Sequence, residues 1–357
     1  MKKRILAGMT ILLTALFTSG LLSAADQSAT CPTIKKPASV IATLLPPELK
    51  RTLNLIPNDA IAAGFVNAEA IINGKIFAEV LKSSGMDLET LLATGGKKKE
   101  DMEGCAVFFV KLKPQTAEAA ASPIPALEIG GAVVYKRGTV VSELFAKSAE
   151  DIQKEIAELD QDAAASIKVE KIQISGKNAF VLSAPELNAT FVAVAAAKNI
   201  IQFRLFFNTD PVKELIPSRG TVTSAASSLD LNSAFSASLD AMQARSLASE
   251  IQDDAVLQTV QLASCSITEK DNGLVLIFRV AANSADSVQL IKGQIDAALA
   301  GLKDDPSFGS IAGKTTVTVE KGTDVVVRSF IPSEFILQNL QGLGAAQEED
   351  FEESSEE

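Results

Sequence analysis

Histidine is absent from the whole 357-residue chain. With it go the commonest general base, the commonest zinc ligand and the usual pH switch. Serine–histidine and cysteine–histidine nucleophilic chemistry is excluded outright. Tryptophan is also absent and there is one tyrosine, Tyr135, so the flat rings on which sugars and nucleobases stack are scarce. Three cysteines and no histidine leave a closed zinc site without its usual ligands, and no metal or cofactor is expected. Basic residues are outnumbered, 33 against 44 acidic ones, for a net charge of −11. That field repels nucleic acid and anionic lipid, so no nucleic-acid partner is expected.

Long apolar runs are confined to the start. Lys2, Lys3 and Arg4 precede an apolar stretch from Ile5 to Leu22, and Ser23-Ala24-Ala25 supplies small residues. This is the pattern of a secretory signal over 1–25, which puts the mature chain in the periplasm or outside the cell. The alternative is an uncleaved anchor, but Thr10, Thr14, Thr18, Ser19 and Gly20 dilute a stretch that needs roughly 20 apolar residues. A membrane partner enters only if the segment stays uncleaved. Cys31 follows Ser28-Ala29-Thr30, with no leucine in lipoprotein position, and does not read as a lipidation site.

Without the signal, residues 26–52 read as a proline-containing linker or arm, with Pro32, Pro37, Pro46 and Pro47. Residues 345–357 read as a disordered acidic tail, since the last ten carry seven carboxylates and no base. Between them the pattern is α+β in two similar halves, 53–208 and 209–344. Each reads strand–helix and then β-β-α-β-β, giving antiparallel sheets with helices on one face. In the first half, strands are expected at 60–68, 105–112, 126–135, 166–174 and 179–184, with a further hairpin about Lys198-Asn199. Helices are expected through Ile72, Ile76, Val80 and Leu81, at 87–93 and over 139–158. In the second half, strands at 233–241, 260–268, 273–281, 314–320 and 324–331 are joined by turns at Asp271-Asn272-Gly273 and Lys321-Gly322. A polar helical stretch runs to about Leu257, a helix at 284–302 is capped by Ser284, and a last helix covers 333–343.

Cys105 and Cys265 fall on the same early strand of each half. Two buried structural thiols are the plain reading, and a Cys105–Cys265 disulfide near a pseudo-two-fold axis is the alternative. An odd cysteine count leaves at least one thiol unpaired or paired between molecules.

Motif tests fail in informative ways. Gly309-Ser310-Ile311-Ala312-Gly313-Lys314-Thr315 is one residue short of a phosphate-binding loop and leads into a strand rather than a helix. There is no G-x-S-x-G. The carboxylates of 139–158 (Glu143, Glu150, Asp151, Glu155, Glu158) are interleaved with Lys147 and Lys154, the pattern of a salt-bridged outer helix face. No catalytic residue is assigned.

The opening "IPNDAIAAGFVNAEAII", specific only in Pro57-Asn58-Asp59-Ala60, resembles uncharacterised secreted bacterial proteins with a duplicated α+β unit. In element order the resemblance spans 55–340. It implies the duplicated fold and no catalytic residues. The expectation is a non-enzymatic exported cell-envelope protein, an interaction or structural module with an unknown envelope protein as partner. Binding of a small apolar ligand or lipid is the alternative, and a carboxylate-only hydrolase the third reading.

Overall fold

A computed structural model describes residues 52–83, 104–113, 126–135, 141, 167–185, 188–218, 223–245, 256–305 and 308–338. The signal segment, the arm up to 51 with Cys31, the expected helices at 87–93 and 139–158 (Val141 apart) and the acidic tail lie outside the described residues.

Twelve strands build one antiparallel sheet. They are β1 (Ala60–Asn67), β2 (Gly104–Leu112), β3 (Leu127–Tyr135), β4 (Lys168–Ile174), β5 (Lys177–Ala184) and β6 (Ala189–Ala197). There follow β7 (Ile200–Phe207), β8 (Phe235–Asp240), β9 (Val260–Lys270), β10 (Gly273–Ala282), β11 (Thr316–Glu320) and β12 (Asp324–Pro332). The order across the sheet is β11-β12-β10-β9-β8-β1-β2-β3-β7-β6-β5-β4. The seam is β1 against β8, running from Ala62 opposite Leu239 to Val66 opposite Phe235. Positive φ at Ser175 and Gly176, Asp271, and Lys321 and Gly322 closes the tight hairpins, and glycine takes the left-handed backbone without a Cβ penalty.

Helices are few among the described residues: α1 (Ala68–Asn73), α2 (Lys75–Ser83), α3 (Ser224–Ser227), α4 (Ala241–Ala244), α5 (Ala285–Lys303) and α6 (Gly309–Gly313), with a helical run at 333–338. Strand passes to helix at two matching junctions. Asn67 Oδ1 accepts the Ala70 amide at the end of β1, and Asp240 Oδ1 accepts the amides of Met242 and Gln243 at the end of β8. Ser284 caps α5 as its sequence position suggests, accepting from Ser287 N at 3.2 Å.

Three details depart from the sequence reading. The single helix expected through Ile72 and Leu81 divides at Gly74. The Glu269 carboxylate of β9 accepts the Lys75 and Ile76 amides at 2.9 and 3.2 Å, starting a new helix there. The hairpin β4–β5 does not follow β3 in the sheet. Successive turns carry β4 to β7 as a meander, so β7 returns to pair with β3 and β4 becomes the edge. Residues 309–313 form a helical turn that Lys314 terminates before β11, which leaves no helix N-terminus facing a phosphate.

Candidate functional site

Consecutive residues of β2 point to opposite faces, so Phe108 and Phe109 label the two sides of the sheet. The Phe109 face is covered in the β1–β3 region. Ala63, Phe65, Val107, Phe109 and Ala132 pack under Leu53, Leu55, Ile56, Ile216 and α3. Polar groups on this face tie the covering chain down. Gln202 Oε1 accepts the Ile216 amide at 2.9 Å, and Arg204 Nη1 reaches Glu214 O at 3.4 Å. Glu128, only 2% exposed, sits between Arg204 Nε at 2.6 Å and Lys113 Nζ at 2.8 Å. Burial alone would raise the Glu128 carboxyl, but hydrogen bonds and charge from Arg204 and Lys113 outweigh it and hold the group below the usual carboxylate range.

The Phe108 face differs in kind. Its central row runs Phe278, Cys265, Ala237 and Gly64 to the seam, then Phe108, Gly131, Phe203 and Ala193 beyond it. Large and small residues alternate, and the Phe108 ring lies over Gly64, where an added Cβ would fall 2.0 Å from it. The flanking rows pass through Leu276, Ile267, Phe235, Val66, Ala106 and Val133 on one side, and Val280, Leu239, Ala62, Val110, Ile129 and Leu205 on the other. Across three rows and eight strands, β10 to β6, no position carries a charge. Strand and residue spacings give these rows a footprint of roughly 700 Å², within which Val280 is buried under α5 and Ala193 is buried in a cluster with Phe180. Most of its larger side chains are half-buried and Phe278 is 40% exposed. α5 overlies the β10–β12 end through Val288 and Ile291 on Val280 and Val325, and the α1–α2 junction is tied to the same face by Glu269.

A second feature lies on the Phe109 face of the β8–β12 region. Here the inward side chains are polar: Ser238 opposite Ser264 and Ser236 opposite Ser266, then Arg279, Arg328 and Asp324. Ser236, Ser264, Ser266, Arg279, Arg328 and Asp324 floor a cavity of about 480 Å³ walled by Ser227 to Asp230 and the Lys321 turn. Arg279 bonds Asp324 at 3.0 Å and Glu320 at 3.2 Å, and Arg328 bonds Glu320 and Thr318. The Arg328 hydrogen bond first, then the two guanidinium charges, hold Glu320 below the usual carboxylate range against the opposing effect of burial.

Cys105 and Cys265, for which the disulfide was the alternative to two buried thiols, are both free thiols in the structure. Cys105 stands opposite Asn67 on the Phe109 face, whereas Cys265 stands opposite Ala237 on the Phe108 face. Three strand spacings, about 14 Å, and the thickness of the sheet separate them, beyond disulfide reach. Burial pushes Cys105 up to about 11, and it raises Cys265 too, less the opposing Ala237 backbone hydrogen bond. Serines alternate with apolar residues along β8 and β9, a pattern that alone suits an outward polar face. In the structure Ser236, Ser238, Ser264 and Ser266 are buried, and the apolar neighbours between them are the more accessible set.

Among the described residues no helix is long and apolar enough to cross a membrane, and no group of three or more acidic or cysteine side chains is placed to hold a metal ion. No family model matches this chain, and no characterised protein matches it in sequence. Among solved structures it is weakly similar to crystal form IV of TP0453, at 10% identity and a TM-score of 0.39, over 81% of this chain and 96% of that one. Crystal form III of TP0453 gives the same identity and score over 82% and 98%.

Proposed function

We propose that this chain is an exported, non-enzymatic cell-envelope protein that works as an interaction module, with the Phe108 face as its binding surface. The uncharged rows between β10 and β6 carry this reading. Their footprint, roughly 700 Å² by strand spacing, has the breadth of one side of a standard interface, and Phe278 stands exposed within it. Its breadth suits a protein surface better than a small ligand, which needs enclosure on most sides. The cavity on the Phe109 face is floored by serines and ion pairs, so it is not the apolar channel that the lipid alternative needs. Glu128 lies in the setting of a structural ion pair, held ionised between two cations, and not in that of a general acid. In this reading residues 1–25 are removed on export, and the halves 53–208 and 209–344 are copies related about the β1–β8 seam. The matching caps at Asn67 and Asp240 support the duplication.

The test is a photo-crosslinking residue at position 278, with position 261 on an exposed part of β9 as control, in the full-length chain expressed in a bacterial envelope. A discrete protein adduct at 278 and none at 261 is expected. Adducts to lipid alone would transfer the reading to the apolar-ligand alternative. Absence of any 278-specific adduct would sink both.

A further inference from the structure

The cavity on the Phe109 face is a separate observation from the apolar patch, and its chemistry selects a ligand. Ser264 and Ser266 line it at 9% and 5% exposure, and their hydroxyls bond no other described residue. Their neighbours Ser236 and Ser238 are committed elsewhere. Ser236 Oγ donates to Cys265 O and accepts from Asp230 N, and Ser238 Oγ donates to Ala225 O. Two hydroxyls in the cavity floor therefore have no partner among the described residues and open onto the cavity, where a ligand can reach them.

Charge at the site balances. Arg279, Arg328 and Lys321 face Glu320, Asp324 and Asp230, so a net anion or cation gains no Coulombic advantage. The Arg279–Asp324 pair presents a guanidinium beside a carboxylate, which suits a vicinal diol: one hydroxyl accepts from the arginine while its neighbour donates to the acid. Leu229, Leu262, Ile277 and Ala281 offer aliphatic surface for C–H faces, and no aromatic ring among the described residues lines the site. The volume of about 480 Å³ lies in the range of small-molecule sites.

We propose that this cavity binds a neutral polyhydroxylated molecule, a polyol or a small sugar, through the Ser264 and Ser266 hydroxyls and the Arg279–Asp324 pair. The test is ¹⁵N NMR titration of the mature chain with myo-inositol, glucose and N-acetylglucosamine, with glucuronate and glucosamine as charged controls. At least one neutral probe is expected to shift β9 and β10 amides saturably, and more tightly than the charged controls. The double substitution Ser264→Val with Ser266→Val should weaken that binding by roughly 10- to 30-fold, the loss of two hydrogen bonds. Ser264→Ala with Ser266→Ala should do the same, and serves if the valines disturb the sheet. The proposal is overturned if no neutral probe shifts these amides saturably up to about 50 mM, weaker than any useful small-molecule affinity. Preference for a charged control, or unchanged binding by the folded alanine pair, also overturns it.

Discussion

Substitution of Glu128 by alanine tests how the first half of the sheet holds the chain that crosses it. The carboxylate is 2% exposed and bonds two cations, Arg204 at 2.6 Å and Lys113 at 2.8 Å, themselves only 11% and 18% exposed. Arg204 also lies over the Phe206 ring, 5.1 Å from its centre, and bonds Glu214 O. Removing the acid strands two poorly solvated cations and loosens the segment that places Ile216 in the core. Breaking one side of a buried pair costs about 3–5 kcal/mol. Replacing the pair by apolar groups would cost far less, so the loss comes from the orphaned charges. Urea denaturation of Glu128→Ala should show that loss, and Glu128→Ala with Arg204→Met should recover part of it. The pH dependence has a defined sign. The folded carboxyl sits below its ordinary value of 4.5, so its contribution is complete above that value and disappears as pH falls through the folded one. The wild type should lose stability relative to Glu128→Ala only below about pH 4.5, where the unfolded carboxyl begins to protonate. A Glu128→Ala loss under 1 kcal/mol, or a difference between the two proteins that does not change with pH below 4.5, would refute the assignment.

Gly64→Ala drives a methyl group to 2.0 Å from the Phe108 ring, so about 1–3 kcal/mol of destabilisation is expected. Combining it with Phe108→Leu should relieve most of that, and denaturation of the four proteins in a double-mutant cycle reads the coupling. Glu269→Ala removes the side-chain acceptor of the exposed Lys75 amide and the part-buried Ile76 amide and should cost about 0.5–2 kcal/mol, the range for a lost helix cap. Hydrogen exchange should then quicken first in α1 and α2. Alkylation of the unreduced, denatured protein followed by mass spectrometry should modify both Cys105 and Cys265. In the folded protein at pH 8 Cys105 should label slowly, because its thiol titrates near 11.

Strand positions were legible because alternation is local. The runs at 105–112, 126–135 and 273–281 lie within a residue or so of the strands observed there. The hairpin about Asp271 and Asn272 was legible for the same reason: a turn depends on the φ its own residues tolerate. The polar cavity was not. Serines between apolar residues in β8 and β9 carry the pattern of an outward polar face, and only the covering segment from Ser227 to Asp230 turns that face inward. Depth is a property of what packs above a strand, and period-two patterning contains no information on that.

Composition bounded the chain's chemistry: the absence of histidine removes the imidazole-based mechanisms in any fold. Strand identity and the tight turns were likewise settled by local residue choice. The tertiary structure alone decided the seam between β1 and β8, the return of β7 to β3, and the opposite facing of Cys105 and Cys265. Each depends on pairing between distant segments, where a shift of one residue reverses the face and each intervening strand adds about 4.8 Å. The uncharged Phe108 face arises in the same way. Eight strands each contribute three unremarkable apolar residues, and only their common register assembles them into one surface.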